Sequence, residues 1–122
     1  MVFGLNSTRY NIPGINPMNN VLNRLVEILK DRKTASPKDS YVSRLYDAGN
    51  TKIIEKIKEE CQELIEEITE DIDKEKVLHE AADLWFHVMV LLENNEINPL
   101  EILEVLEKRE GLSGIKEKEG RK

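Results

Sequence analysis

Glu80, Asp83 and His87 interrupt an otherwise apolar segment, EAADLWFHVMVLL, over residues 80–92. At about 100° per residue they fall on one narrow stripe of a helix. From Ala81 onward the segment is too apolar for a surface helix. It is also too short to span a membrane, so it reads as the central helix of a soluble core. Two carboxylates on the inward part of such a helix are expensive unless they are paired or bound to a metal. Something cationic should face that stripe.

A second acidic stripe lies upstream. Over 51–70 the residues Ile53, Ile54, Ile57, Cys61, Leu64, Ile65 and Ile68 make one apolar face, with Cys61 as core filler. Glu60, Glu63 and Glu67 flank that face, Lys56 sits one turn before Glu60, and Glu59 lies further toward solvent. The two helices are joined by a short turn and should pack antiparallel. If the stripes face each other, Glu60, Glu63, Glu80 and Asp83 converge. Four close carboxylates cannot all ionise without cations between them. Hard divalent ions with oxygen ligands resolve this, Mg²⁺ first among them. Such a site binds polyphosphates and activates water for attack on phosphorus.

Bland readings stand beside these. A run of glutamates is commonly a solvated face. Glu80 and Asp83 could instead pair with Lys or Arg, and Lys56 with Glu60 at i+4. His87 reads as a core histidine satisfied by an i, i+4 contact to Asp83. Trp85 and Phe86 suit the core or a subunit interface. A di-iron site would need two Glu-x-x-His motifs, and the second is missing.

The remaining elements must hold these stripes. Residues 1–17 have no period and are expected to be a flexible extension, with the domain over 18–122. A first helix is expected over about 17–32, with Asn16 capping it and Pro17 at its first position. Ser36-Pro37 should open a second, with Tyr41, Val42 and Leu45 inside and Gly49 ending it. Asn50 or Thr51 should cap the third, the fourth should start near Asp73 or Lys74, and Asn98-Pro99-Leu100-Glu101 should open a fifth that stops before Gly111.

The bulk numbers agree. A chain of 122 residues can bury one core. A net charge of −6 argues against a nucleic-acid-binding module. Cys61 is the single cysteine, which excludes an internal disulfide and fits a reducing, cytoplasmic compartment. Neither a signal-peptide pattern nor a spanning apolar stretch is visible. Aromatics are sparse and β-branched alternation is absent. The fold class is all-α, a bundle of four to five helices.

Four segments carry a resemblance. They are Ser40-Tyr41 with Leu45 and Gly49; Lys56 to Glu63, KIKEECQE; EAADLWFHVMVLL; and Arg109 to Arg121, REGLSGIKEKEGR. Together they resemble the MazG-like all-α nucleotide pyrophosphohydrolases and, within them, the phosphoribosyl-ATP pyrophosphatase family. The resemblance implies hydrolysis of phosphoribosyl-ATP between its α- and β-phosphates, giving phosphoribosyl-AMP and pyrophosphate, the second step of histidine biosynthesis. It implies Mg²⁺ as cofactor. It makes Glu60, Glu63, Glu80 and Asp83 metal ligands, and Glu59 a ligand or the water-orienting carboxylate. Lys56 becomes a phosphate contact, and Ser40, Tyr41, Lys116, Lys118 and Arg121 become substrate candidates. It implies a homodimer or higher oligomer with helices shared across subunits. Val42 stands where the family usually has threonine, and Cys61 and Gln62 stand where small residues are common.

Two rivals are weighed. A hydrolase of noncanonical nucleoside triphosphates would share the acidic signature, but the Ser-Tyr segment and the tail favour phosphoribosyl-ATP. A non-catalytic helical scaffold would pair its inward carboxylates with Lys or Arg and show no Mg²⁺ dependence.

Overall fold

The computed structural model describes residues 21–111. Among them five helices and no strand occur: α1 (Val21–Asp31), α2 (Tyr41–Ala48), α3 (Asn50–Glu67), α4 (Lys74–Asn94) and α5 (Glu101–Arg109). The expected start of the first helix at Pro17, its cap Asn16, and the tail residues Lys116, Lys118 and Arg121 lie outside the described residues.

The antiparallel α3–α4 pair is the frame, with α1 and α2 packed on it. Its two ends are tied by polar side chains. At one end the amide of Asn50, first residue of α3, bonds Asn94 and Asn95 at the end of α4, at 2.8–2.9 Å. At the other end Asp73 caps α4, accepting from the backbone N–H groups of Glu75 and Lys76. The core gathers Val26 and Leu29 of α1, Val42 and Leu45 of α2, Ile53 of α3, and Phe86, Met89 and Val90 of α4. Lys33, just past α1, closes on the buried Glu93 of α4 at 3.0 Å.

Four expectations change. The second helix starts at Tyr41, because Ser40 and not Ser36 is its cap: Ser40 is extended and accepts from the N–H of Ser43. Ser36 instead closes a turn, accepting from the N–H groups of Lys38 and Asp39. Gly49, not Asn50 or Thr51, is the N-cap position of α3, which has no side-chain cap, and its N–H also ends α2 at the Leu45 carbonyl. Its φ of +88° and ψ of −177° suit glycine alone.

The third change matters most. The line of α3 that meets α4 is Ile53, Ile57, Glu60, Leu64 and Glu67, at alternating spacings of four and three, and every member is buried or half-buried. Ile54, Cys61, Ile65 and Ile68 lie on the exposed side instead. Cys61 is therefore not core filler, and Glu60 stands inside the helix–helix seam rather than beside it. α4 keeps its expected apolar excess, but Leu78 and Trp85 face outward, Trp85 at 56% exposure. α5 opens at Glu101, later than the expected Asn98–Pro99 start: Leu100 is its N-cap position with no side-chain cap, and Asn98 Oδ1 closes a turn before it by accepting from the Leu100 N–H. None of its residues is buried.

Candidate active site

The register that puts Ile53 and Ile57 against α4 carries Glu60 into the same seam one turn later. Glu63 follows at the edge, and Glu80 comes from the first half of α4. One carboxylate oxygen from each of Glu60, Glu63 and Glu80 lies within 4.8 Å of the others. Glu60 is buried, Glu80 half-buried and Glu63 exposed, so the cluster opens to solvent on one side. Asp83 is buried next to it but is not one of the three that converge; its Oδ2 lies 3.5 Å from His79 Nε2.

The electrostatics follow from this crowding. Burial, then the like charges of Asp83, Glu63 and Glu80, push the Glu60 carboxyl up to about 7. Glu80 is raised as well, first by its hydrogen bond with Glu63, then by burial and by the charges of Glu63 and Asp83, with His79 opposing. Both shifts favour the protonated acids, so a cation entering the cluster would compete with protons on Glu60 and Glu80.

The residues fit a divalent ion. The donor set is all hard carboxylate oxygen. Glu80 Oε2 is buried and has no hydrogen-bond partner. No Lys or Arg ion pair reaches Glu60, Glu63, Glu80 or Asp83 among the described residues.

The other sequence candidates are placed as follows. Lys56 is half-buried and pairs with Glu59 at i+3, 3.4 Å, rather than with Glu60, whose carboxylate turns into the seam. Ser40 is occupied as the α2 cap. The Tyr41 hydroxyl lies 2.7 Å from His87 Nε2. His87 does contact Asp83, but through Nδ1 to the backbone carbonyl at 2.8 Å, not through the carboxylate. The sequence reading passed over His79. It stands with Glu67, Asp73, Glu75, Lys76 and Glu80 around an open cleft of about 480 Å³ beside the cluster. Its signal was the i, i+4 spacing to Asp83.

An antiparallel helix pair with carboxylates converging across its seam defines a class: an all-α bundle with an acidic cluster suited to a hard cation. The family model described as phosphoribosyl-ATP pyrophosphohydrolase matches residues 22–110. A Nitrosomonas eutropha protein named phosphoribosyl-ATP pyrophosphatase is 43% identical over 98 residues, 80% of this chain and 83% of its own. Proteins of the same name from Janthinobacterium sp. and Vesicomyosocius okutanii are 43% and 45% identical, covering 86% and 85% of this chain and 98% of each of theirs. The chain belongs to the phosphoribosyl-ATP pyrophosphohydrolase family.

Proposed function

We propose that this protein hydrolyses phosphoribosyl-ATP to phosphoribosyl-AMP and pyrophosphate, the second step of histidine biosynthesis, in a Mg²⁺-dependent reaction. Its family and the names of its relatives support the reaction. The observation that carries the site is the convergence of Glu60, Glu63 and Glu80 on one point. These three, with Asp83 beside them, are the residues that would hold the ion. Bound there, Mg²⁺ supplies Lewis-acid stabilisation of the phosphate oxygens and lowers the pKa of a bound water.

The chain's own groups do the rest. The raised Glu60 and Glu80 carboxyls would ionise as a cation neutralised them, so negative charge would build at the seam only where it is compensated. Glu59 is proposed as the carboxylate that orients the attacking water, and Lys56, which pairs with it at 3.4 Å, as a contact for a substrate phosphate. The tail cations Lys116, Lys118 and Arg121 are proposed as further phosphate contacts.

The protein is proposed to act in the cytoplasm as a homodimer or higher oligomer. No described helix is long and apolar enough to cross a membrane. Ile65, Ile68, Leu78 and Trp85 are each more than half exposed, and α5 leaves Ile102, Leu103, Val105 and Leu106 uncovered. That much apolar surface on one small chain fits a face shared with a second copy.

The test is pyrophosphate release from phosphoribosyl-ATP, with and without Mg²⁺, beside a panel of ordinary and modified nucleoside triphosphates. Mg²⁺-dependent turnover of phosphoribosyl-ATP alone is expected. Preference for a modified triphosphate would keep the site and refute the substrate.

A further inference from the structure

His87 is a buried titratable side chain for which the reaction above has no use. It is fully buried. It sits where three helices meet: α4, which carries it, α2, which brings Tyr41, and α3, which brings Glu60. Its Nδ1 faces the Asp83 carbonyl at 2.8 Å. A carbonyl only accepts, so Nδ1 carries the proton. In the neutral ring Nε2 is then an acceptor, and the Tyr41 hydroxyl donates to it at 2.7 Å. The Tyr41 and Phe86 rings meet the imidazole nearly at right angles, with centroids 5.9 and 5.7 Å away. Tautomer and orientation are thereby both set. The protonated Nδ1 edge of this fixed ring lies 3.6 Å from Glu60 Oε1. That is beyond a hydrogen bond, but it presents a positive edge to the buried carboxylate.

We propose that Tyr41 and His87 are positioning residues for the cation site. Tyr41 holds the imidazole, and the imidazole holds the Glu60 carboxylate aimed across the seam at Glu63 and Glu80. This rests on the reading of that cluster as a divalent-cation site. Carboxylate ligands keep their aim only when groups behind them are fixed, and loss of such support commonly weakens metal binding 10- to 100-fold. The Asp83 carbonyl sets the tautomer by itself; what Tyr41→Phe removes is the tie at Nε2 that fixes the ring's orientation against α2. The role differs from the substrate contact that the sequence suggested for Tyr41.

The test uses Mn²⁺ alone, counted by the electron paramagnetic resonance of the free ion, on the whole chain without substrate. Wild type, Tyr41→Phe, His87→Asn, His87→Leu and Glu63→Gln are compared, with thermal melts to confirm folding. Tyr41→Phe is expected to bind Mn²⁺ about tenfold more weakly. At saturating Mg²⁺ its KM for phosphoribosyl-ATP stays at the wild-type value. His87→Asn, whose amide can replace the Nδ1–H, is expected to retain more affinity than His87→Leu. Unchanged Mn²⁺ affinity in Tyr41→Phe overturns the proposal, and a raised KM in that variant makes Tyr41 a substrate contact instead. Failure of wild type to bind Mn²⁺, or wild-type affinity in Glu63→Gln, overturns the cation-site reading itself. Both of those are measured with Tyr41 and His87 intact, so the two failures are distinct.

Discussion

Glu60 of α3 and Glu80 of α4 bring carboxylate oxygens within 4.8 Å of each other across the helix seam, with an oxygen of Glu63 equally near. Burial and crowding of like charge raise both the Glu60 and the Glu80 carboxyls, which favours their protonated forms. Proton and divalent cation therefore compete for one place, and the first two predictions follow from that competition.

The metal-free protein should lose stability as pH rises. Glu60 is raised in the folded state from 4.5 to about 7. A carboxyl raised on folding binds its proton more tightly in the folded state. Its contribution is fully present below about pH 4.5 and is lost as pH climbs through 7. The shift corresponds to a contribution on the order of 3 kcal/mol. Thermal melts in EDTA are expected to show a lower Tm at pH 8 than at pH 5.5, and Mg²⁺ should restore it at pH 8. A flat profile in EDTA would mean the carboxylates are not crowded in solution.

Glu60→Gln should separate stability from activity. The amide keeps the shape and removes the buried charge. In EDTA at pH 8 the variant should melt above wild type, while at pH 5.5 the two should nearly coincide. Turnover should fall by a factor of about 100 or more, as expected when several kcal/mol of metal-borne stabilisation are lost. Pyrophosphate release and differential scanning fluorimetry on the same sample measure both.

Gly49→Ala tests the α2–α3 junction. An added Cβ meets nothing within 4 Å, so any penalty is backbone strain at φ +88°. The expected loss is about 1–3 kcal/mol. Chemical denaturation measures it, and a loss well under 1 kcal/mol would show that the junction relaxes.

Lys33→Met tests the tie between α1 and α4. It leaves Glu93, 4% exposed, without its 3.0 Å partner. Because Lys33 is itself partly solvated, a loss of about 1–3 kcal/mol is expected. KM and kcat at 25 °C should not move, since neither residue touches the acidic cluster.

Trp85→Asp tests the shared face. Trp85 is 56% exposed and lines an apolar cleft of about 370 Å³ with Leu22, Leu100 and Leu103. The mass from light scattering should drop from that of an oligomer to that of one chain. An unchanged mass would place the interface elsewhere.

Much of this was legible in the residues. Asp73 and Gly49 mark their boundaries chemically, because caps and turn residues act locally, whereas Asn98 and Pro99 announce a turn that precedes α5 rather than its first residues. The apolar excess of α4, broken by Glu80 and Asp83, announced both the central helix and the acidic cluster at its seam with α3. The face of α3 was less legible. Its apolar residues fall on two sides, Ile53, Ile57 and Leu64 on one and Ile54, Cys61, Ile65 and Ile68 on the other. A helical wheel cannot say which side meets the chain's own α4, so Glu60 was read as flanking when it lies inside. The partnership of Tyr41 with His87 spans 46 residues and has no local signature. The choice of Ser40 over Ser36 as cap depended on two serines of equal capping ability, and only the packing of Val42 and Leu45 decides it.

The central claim is that Glu60, Glu63 and Glu80 hold a divalent cation. Anomalous diffraction from Mn²⁺-soaked crystals tests it most directly. The account predicts an anomalous peak at bonding distance from oxygens of all three side chains, and its loss in Glu63→Gln. A Mn²⁺ peak elsewhere, with no density between the Glu60, Glu63 and Glu80 carboxylates at pH 8, would contradict it.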